Sequence, residues 1–455
     1  MRSFALLAGL LGTALAAPYA SIGRIHRRAE PENKYTIVNP GNVDDVIVDE
    51  DNTLNGTFHT QDTFSIAAAE IQDPVPGNLP LSLVNNLGGQ NLNCYISGLD
   101  SDGKVVFLGA DGTLIYPSSG GSEVPVPVTE PIAIPMPPQG QTLDITLPIA
   151  MSSGRVYFAE GELQFFMVFI GTGDGLVQPS INNIQDPSAG LNWGFVELTL
   201  TTEGVIWANI SYVDFVGLIM SMTLRNLDGS TQEVIGLPGN AVKTVCEQLL
   251  AQGDADTRPW GAMCIAKADG TPLRVLSPED YETVEQGGFD DYWTAYVDEV
   301  WAKYSTQPLT INTQNDAIGD VKCQVNGELL ECEGDNRGYP KPNAADIWGC
   351  NSGPFGILEG DNEVHYAVVP RLCAAIVRTT MMIEGGDFQP GPAAEQYYKM
   401  DPTSHYSRII HANEVDGKGY AFPYDDVNPD GAEDAAGLVS SGNPETLIFY
   451  IGGAQ

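Results

Sequence analysis

The sequence predicts a mainly β protein, a barrel or sandwich with a mixed α/β segment inserted into it. Three observations favour this fold class: 50 glycines and 31 prolines punctuate the 455 residues, apolar residues alternate over short stretches through the first half, and helical spacing begins only after Gly239. Alternation with a period of two is typical of half-buried strands, whereas a period of 3.6 is typical of amphipathic helices.

Ten segments bounded by Gly- and Asp-containing turns are predicted as strands. They are 64–70, 80–86, 93–98, 104–109, 143–149, 155–160, 163–170, 195–201, 205–213 and 217–225. The proline-rich stretch 117–140 predicts an extended loop at a sheet edge. Residues 239–252 and 289–304 carry apolar side chains at helical spacing and are predicted as amphipathic helices.

These changes in pattern predict the domain organisation. Residues 61–235 together with 405–455 are expected to form the β domain, and residues 236–404 an inserted, disulfide-stapled α/β domain. Residues 29–60 are acidic and polar and are expected to be loosely ordered. Because clefts between domains are common ligand sites, the groove between these two domains is the expected place for a site.

The N-terminus has the pattern of a secretory signal. Residues 1–17 combine Arg2 with an apolar run and a small-residue cleavage site, and residues 18–28 read as a pro-segment that ends at the dibasic pair Arg27-Arg28. No apolar stretch reaches the ~20 residues that a membrane-spanning helix needs. The sequence therefore predicts a secreted, extracellular protein that is not a membrane protein.

The charge narrows the possible partners. The chain carries 21 basic and 59 acidic residues, a formal net charge of −38; losing residues 1–28 removes four arginines and no acid, which leaves −42. Such a surface repels nucleic acid and anionic membranes and is compatible with a neutral polysaccharide. We expect neither nucleic acid nor membrane as a partner, and we expect a monomer.

Seven cysteines in an exported chain predict disulfides with one thiol left over. Six of them fall between residues 246 and 373, and their spacing favours the pairs Cys246–Cys264, Cys323–Cys332 and Cys350–Cys373, although six cysteines allow 15 pairings. Cys94 is expected to stay free. No CxxC pair occurs and histidines are few, so neither a metal nor another cofactor is expected.

Two carboxylates are the most informative residues. Glu197 and Asp214 lie in strand-like segments that are otherwise apolar or hydroxyl-bearing, with Trp193 and Trp207 close by. Acids are rare in apolar strands unless they are paired or functional, because burying a charge costs several kcal/mol. A carboxylate pair near indole rings is suited to cutting a glycosidic bond.

Residues 195–201 and 205–211 read as a hairpin that turns at 202–204 and places Glu197 opposite Asn209. One face of this hairpin then presents an acid, hydroxyls, an amide and an indole. These residues are Glu197, Thr199, Trp207, Asn209 and Ser211. The alternative is an ordinary solvent-facing polar side, which is the more common case for an amphipathic hairpin; the exposed indole favours a sugar-binding surface.

Asp214 would not meet Glu197 on a straight strand. On a straight strand Asp214 would lie roughly 16 Å beyond Asn209, the residue opposite Glu197, and on the other face of the hairpin. Cooperation of the two acids therefore requires a bulge or a bend between Ser211 and Phe215.

Five segments resemble glycoside hydrolase family 64, the secreted β-1,3-glucanases of bacteria and fungi, and the resemblance extends over roughly residues 60–455. The segments are RVYFAEGELQFF (155–166), LVQPSINNIQDPSAGLNWGFVELTL (176–200), ANISYVDFVGLIMSMTL (208–224), CAAIVRTTM (373–381) and YSRIIHANEVDGKGYAFPYDDV (406–427). With the dibasic pro-site, the resemblance indicates a fungal member. It implies a thaumatin-like β-barrel plus an α/β domain, a wide groove for a β-1,3-glucan chain, and endo-acting hydrolysis with inversion.

The resemblance also assigns residues. It implies that Glu197 is the general acid and Asp214 the general base, and that residues of the hairpin contact glucan. The implied contact residues are Thr199, Trp207 and Ser211, where Ser211 replaces a threonine; Trp193 and Asn209 are further candidates. Asp425 and Asp426 resemble the acidic cleft of thaumatin-like proteins, and capping a turn is an equally good interpretation of this pair. The spacing of the two acids is one residue longer than in the bacterial pattern.

Other classes of protein fit less well. An aspartic protease needs two Asp-Thr/Ser-Gly loops and a nucleophile-elbow hydrolase needs G-x-S-x-G, and the sequence contains neither motif. A non-catalytic thaumatin-like protein that binds glucan, or a cell-wall protein, remains the alternative. Glu197 distinguishes them, because a binding protein needs no protonatable group at that position.

Overall fold

The computed structural model describes residues 33–49, 52–55, 78–88, 91–432 and 437–453. The predicted signal peptide, the pro-segment and the predicted strand 64–70 lie outside these residues. The described strands up to the first helix are β1 (Thr36–Ile37), β2 (Thr53–Leu54), β3 (Leu79–Asn85), β4 (Leu92–Leu99), β5 (Val105–Leu108), β6 (Leu114–Ile115), β7 (Val126–Pro127), β8 (Ile134–Pro135), β9 (Thr142–Leu147), β10 (Met151–Glu160), β11 (Phe166–Phe169), β12 (Asp174–Val177), β13 (Asn192–Leu200), β14 (Ile206–Asn209), β15 (Phe215–Val216), β16 (Met220–Asn226) and β17 (Thr231–Val234).

Among the described residues, α-helices first occur after residue 240, as the change in spacing predicts. The described α-helices are α1 (Ala241–Asp256), α2 (Pro278–Val284), α3 (Thr294–Tyr304), α4 (Ala344–Gly349), α5 (Glu363–Val377) and α6 (His405–Asn413). The later strands are β18 (Cys264–Ala266), β19 (Pro272–Leu276), β20 (Leu309–Asn312), β21 (Asp320–Asn326), β22 (Leu329–Cys332), β23 (Phe388–Gln389), β24 (Leu438–Ser441) and β25 (Pro444–Ile451). No described helix is long and apolar enough to cross a membrane.

Two large antiparallel-rich sheets form the main β structure. The larger has the order β24-β14-β13-β10-β4-β5-β6, with β8 also paired to β4, and the other has the order β17-β16-β25-β3-β9. Phe158 of β10 contacts Phe449 of β25 with ring centroids 6.1 Å apart, so the two sheets pack face to face. The mainly β prediction is therefore confirmed, and the buried aliphatic and aromatic side chains of both sheets belong to one core.

Three four-stranded sheets complete the β structure, in the orders β1-β18-β19-β15, β2-β12-β11-β7 and β22-β21-β20-β23. The first of them joins β15, from the predicted β domain, to β18 and β19, from the predicted insertion. The domain boundaries stay a prediction. Within the stretch expected to be loosely ordered, the described residues are packed: β1 pairs with β18 and β2 pairs with β12.

The helical and disulfide-bearing region follows the predicted spacing. Helix α3 buries one stripe of side chains at i, i+3 and i+4 positions, namely Tyr296, Val297, Val300, Trp301 and Tyr304. The disulfides Cys246–Cys264, Cys323–Cys332 and Cys350–Cys373 are all present, and Cys94 is free and buried. The predicted pairing is confirmed.

Candidate functional site

The candidate site lies on the outer face of the larger sheet, where directly paired residues of five strands form a transverse row. From β4 to β24 the row consists of Ser97, Arg155, Glu197, Asn209 and Leu438. Residues opposite one another on neighbouring strands share a face. The predicted register is confirmed, because Glu197 pairs with Asn209 and the hairpin turns at residues 202–204, with the Gly204 amide donating to the Thr201 carbonyl (3.0 Å).

A second row runs alongside the first and contains Thr199, Trp207 and Ser440. Thr199 and Trp207 are half-buried. The indole Nε1 of Trp207 has no hydrogen-bond partner among the described residues. Most residues of the two rows, but not Ser97 or Ser440, line one pocket, which we call the Glu197 pocket. It is formed by Leu54, Ser153, Gly154, Arg155, Gln178, Glu197, Leu198, Thr199, Trp207, Ala208, Asn209 and Leu438.

Arg155 fixes the carboxylate of Glu197. Its Nη2 lies 3.4 Å from Glu197 Oε1, its Nη1 donates to Gln178 Oε1 (2.8 Å), and its guanidinium lies 4.4 Å from the centroid of the Phe195 ring. The Glu197 side chain is 34% exposed, so the carboxylate can be reached from the pocket. A planar guanidinium held on two sides is a rigid support for a carboxylate.

Electrostatics link Arg155 to both predicted acids. Burial lowers the pKa of the Arg155 guanidinium, but Tyr157 and the carboxylates of Glu197 and Asp214 outweigh burial, so that the pKa is raised. Arg155 is therefore charged at any pH at which the protein folds. Its positive charge favours the ionised form of both carboxylates.

The chain bends at Asp214. Strand β14 ends at Asn209, and β15 pairs with β19 in a different sheet. The Ser277 amide donates to the Asp214 carbonyl (2.7 Å), and the Phe215 ring lies 5.7 Å from that of Phe195, the ring that also contacts Arg155. The predicted bend between Ser211 and Phe215 is confirmed. Asp214 interacts electrostatically with Arg155 but does not line the Glu197 pocket.

Two glycines permit the bent segment to lie against β13. A Cβ on Gly217 would lie 2.2 Å from the Trp193 carbonyl oxygen, and a Cβ on Gly194 would lie 2.8 Å from the Leu218 carbonyl oxygen. The Leu218 amide donates to the Trp193 carbonyl (2.9 Å) at the same crossing. The position of Asp214 therefore depends on backbone contact that only glycine allows here.

Trp193 and Ser211 do not line the Glu197 pocket. Trp193 is only 1% exposed and packs against Phe195 and Phe215, so it belongs to the core, and its direct contact with substrate stays a prediction that this burial disfavours. Ser211 lies beyond the end of β14, where its Oγ accepts a hydrogen bond from the Val213 amide (3.3 Å). Its placement on the Glu197 face assumed a strand that continues to residue 213.

Asp425 and Asp426 also lie outside the lining of the Glu197 pocket. Asp425 is 1% exposed, and its oxygens bind Arg378 Nη2 (2.9 Å), His411 Nε2 (2.9 Å) and the Ala421 amide (2.8 Å). Asp426 is exposed. The contacts of Asp425 agree with the interpretation that it fixes a turn near the chain end, while Asp425 also lines a second cavity described below.

Sequence reasoning missed Arg155 and Gln178. A lone arginine inside the apolar run RVYFA was a usable signal, because alternation places it on one face with Tyr157, but only the register of β10 against β13 reveals that it faces Glu197. Gln178 lies directly after β12, in another sheet, and nothing local marks it. Among the described residues, no group of three or more His, Cys, Asp or Glu is arranged to hold a metal ion.

Taken together, the pocket offers one accessible carboxylate, a second carboxylate nearby, a fixed guanidinium, a hydroxyl, an amide and an indole. These groups can bind a neutral polyhydroxylated molecule through hydrogen bonds and ring contact. A carboxylic acid and a carboxylate on either side of a glycosidic bond are the groups that general acid and general base catalysis require.

Comparison with known proteins gives a consistent result. The family model of glycoside hydrolase family 64, described as β-1,3-glucanase, matches residues 77–451. Two curated proteins called glucan endo-1,3-beta-glucosidase, from Cellulosimicrobium cellulans and Arthrobacter sp. (strain YCWD3), are each 30% identical to the chain over 396 residues, which cover 85% of this chain and 67% of theirs.

Solved structures resemble the whole fold. A laminaripentaose-producing β-1,3-glucanase in complex with laminaritetraose is 28% identical, with a TM-score of 0.72 over 83% of this chain and 99% of that chain. A β-1,3-glucanase domain from Clostridium beijerinckii is 19% identical, with a TM-score of 0.63 over 84% of this chain and 100% of its own, and shows likeness of fold.

Proposed function

This chain belongs to glycoside hydrolase family 64, the β-1,3-glucanases, and we propose that it is a secreted, endo-acting enzyme that cleaves β-1,3-glucan with inversion at the anomeric carbon. Glu197 is the general acid that protonates the leaving oxygen. Asp214 is the general base that takes a proton from the attacking water. Inversion by two carboxylates needs both acids on opposite sides of the scissile bond, with room for one water molecule.

The observation that carries this proposal is the Arg155 guanidinium, which lies 3.4 Å from Glu197 Oε1 and also interacts electrostatically with Asp214. Arg155, Glu197 and Asp214 are each only partly exposed, and partly buried charged groups are costly unless they are paired or used. Glu197 has to carry a proton when glucan is bound, whereas its ion pair with Arg155 favours the carboxylate. Gln178 also holds Arg155, so the guanidinium stays in place to donate to the unprotonated oxygen of the Glu197 carboxyl group and orient it.

Glucan binding is assigned to the side chains beside the acids. Trp207 supplies a ring for the apolar face of a glucose unit, while Thr199 and Asn209 lie on the same face as Glu197 and supply hydroxyl and amide groups. Because Nε1 of Trp207 is buried, ring contact is the contribution assigned to this residue.

The proposal includes secretion, a thaumatin-like β domain with an inserted α/β domain, and a monomeric state. Three disulfides support an oxidising, extracellular environment. The signal-like pattern of residues 1–17 supports export.

The first test is release of reducing ends from laminarin, with cellulose as the control polymer. Glu197→Gln and Asp214→Asn are each expected to lower kcat by roughly 100- to 10,000-fold, the usual contribution of a general acid or base. Glu203→Gln is the matched control, because Glu203 lies exposed at the turn of the same hairpin. A wild-type protein that binds laminarin and releases nothing would instead be a glucan-binding protein.

Two further measurements separate the roles of the acids. An aryl β-glycoside of laminaritriose with a dinitrophenolate leaving group needs no protonation, so Glu197→Gln is expected to regain most of its rate on it while Asp214→Asn stays inactive. Proton NMR of the first product should show the α anomer. The β anomer as first product would contradict inversion.

A further inference from the structure

A second cavity, of about 640 Å³, lies in the region of α6 and the loops on either side of it. We call it the Tyr397 cavity, and the lining residues used below are Arg378, Ala394, Tyr397, Tyr398, His411, Glu414 and Asp425. It shares no lining residue with the Glu197 pocket. Its volume is within the range of about 300–1,000 Å³ found for small-molecule sites.

A buried ionic network forms one wall of the cavity. His411 lies between two carboxylates, with Nδ1 2.9 Å from Glu414 Oε2 and Nε2 2.9 Å from Asp425 Oδ2, and Arg378 pairs with the other oxygen of Asp425 (2.9 Å). The Glu414, Asp425 and Arg378 side chains are 0%, 2% and 4% exposed. Packed apolar residues stabilise a fold as well as such a network does, so a network kept beside a cavity points to use of the cavity.

This wall carries one unused acceptor. Glu414 binds His411 through Oε2, while its buried Oε1 has no hydrogen-bond partner among the described residues. Burial raises the pKa of Glu414 more than His411 lowers it. A buried acceptor without a donor is unfavourable for folding, so this part of the wall is not explained by stability alone.

Two tyrosines form the aromatic part of the lining. The Tyr397 ring lies 4.5 Å from the Arg378 guanidinium, and the Tyr398 ring is stacked on His411 at an interplanar angle of 25°. Tyr398 has φ of +58°, which is unfavourable for a bulky residue, and its amide donates to the Arg378 carbonyl (3.0 Å). The surrounding structure therefore holds this ring in place at a cost, as is common at ligand sites.

The charges of the lining select against ionic ligands. The lining contains nearly equal numbers of basic and acidic side chains, so it offers an ion of either sign little excess of opposite charge. These residues are Arg378, His411 and Lys418 against Glu395, Glu414, Asp416 and Asp425. The chain as a whole has a net charge of −38, which disfavours anions further. Paired charges, free hydrogen-bonding capacity and aromatic rings together suit a neutral molecule with many hydroxyl groups.

We propose that the Tyr397 cavity is a second carbohydrate-binding site, separate from the Glu197 pocket, that holds a stretch of β-1,3-glucan which is not being cleaved. The identity of the sugar as β-1,3-glucan rests on the proposed function. The cavity gives the enzyme a second hold on a polymer, which raises the effective concentration of glucan at the first site.

The test is calorimetric titration of laminaritetraose into Glu197→Gln, which is expected to bind without cleavage. Two binding events are expected. Adding Ala394→Trp should remove one of them, because Ala394 is an exposed lining residue and an indole there fills the cavity without deleting a contact. Ala302→Trp on α3 is the matched control, since Ala302 is exposed and lines neither site. Tyr397→Ala is a second variant that should remove the same event, and circular dichroism checks that each variant is folded.

The outcomes separate this inference from the proposed function. A single binding event that Trp207→Ala abolishes and Ala394→Trp does not would overturn the inference and leave the proposed function standing. A single event that Ala394→Trp abolishes and Trp207→Ala does not would support the inference and contradict the proposed site of cleavage. No binding to any folded variant would overturn the inference.

Discussion

Arg155 and Glu197 occupy directly paired positions on adjacent antiparallel strands, and their side chains meet as an ion pair with Nη2 and Oε1 3.4 Å apart. The carboxylate is thus oriented by strand register and by a guanidinium that Gln178 and Phe195 also hold. A site carried by strands keeps its geometry better than one carried by loops. The same guanidinium interacts with Asp214, so one residue influences both proposed catalytic groups.

Arg155→Lys is expected to lower kcat on laminarin by roughly 10- to 100-fold with a smaller change in KM. A lysine keeps the charge but cannot bind Gln178 and Glu197 through one planar fork, so the carboxylate loses its fixed orientation. Steady-state kinetics of the folded variant measure this. Arg225→Lys, on an exposed position of β16, is the control and should match wild type. Equal kcat in all three proteins would mean that Arg155 has no role in orienting Glu197.

Gly217→Ala is expected to reduce activity by moving Asp214. The added methyl group would lie 2.2 Å from the Trp193 carbonyl oxygen, so the segment from Asp214 to Leu218 has to shift away from β13. Overpacking of this kind costs typically about 1–3 kcal/mol of folding free energy. Denaturant unfolding and laminarin hydrolysis together measure both effects.

The control for that change is Gly173→Ala. No atom lies within 4 Å of a Cβ at Gly173, and its φ is not in the left-handed region. The Gly173 variant should therefore unfold and hydrolyse laminarin as wild type does. If Gly217→Ala were fully active, the close crossing of the bent segment over β13 would be irrelevant to the position of Asp214.

Replacing Trp193 and replacing Trp207 are expected to have different effects, the first mainly on stability and the second mainly on binding. Trp193→Ala removes a fully buried ring and should lower the free energy of unfolding by about 3–5 kcal/mol. Trp207→Ala removes a half-buried ring from the Glu197 pocket and should cost about 1 kcal/mol of stability while weakening laminaritetraose binding there at least tenfold. Denaturant unfolding and calorimetry are the measurements. The reverse pattern would place the substrate-binding indole at Trp193.

The hairpin shows how far the sequence alone could predict this site. The register that sets Glu197 opposite Asn209 followed from alternation and a Gly-containing turn, both local signals. The need for a bend before Phe215 also followed from strand geometry. The direction of that bend did not, because it depends on β19, about 60 residues later in the chain.

The burial of individual side chains and their partners far along the chain could not be predicted from the sequence. Trp193 and Trp207 look alike as indoles beside an acid, and only Phe215 packing over β13 makes one a core residue. Asp425 forms an ion pair with Arg378, which is 47 positions away in the sequence, so local sequence does not reveal its role. The disulfides could be predicted because two of the three pairs close short loops, which spacing reveals.

His411→Gln is expected to destabilise the protein by about 3 kcal/mol at pH 6, with a difference that narrows as the pH rises. Asp425 and Glu414 outweigh the effect of burial and raise the pKa of His411 to about 10, from an ordinary value of 6.5. The folded state therefore holds a proton that the unfolded state releases between these values, so the stabilisation is fully present below pH 6.5 and is lost as the pH rises through 10.

Denaturant unfolding of both proteins from pH 6 to 10.5 measures the change. His405→Gln is the control, because burial and Arg408 lower the pKa of His405 instead of raising it. The difference in unfolding free energy between wild type and His405→Gln should therefore change near pH 6.5 and stay constant near pH 10. If the difference in unfolding free energy between wild type and His411→Gln stays constant up to pH 10.5, His411 is not charged between its two carboxylates. The wall of the Tyr397 cavity would then contain a neutral imidazole.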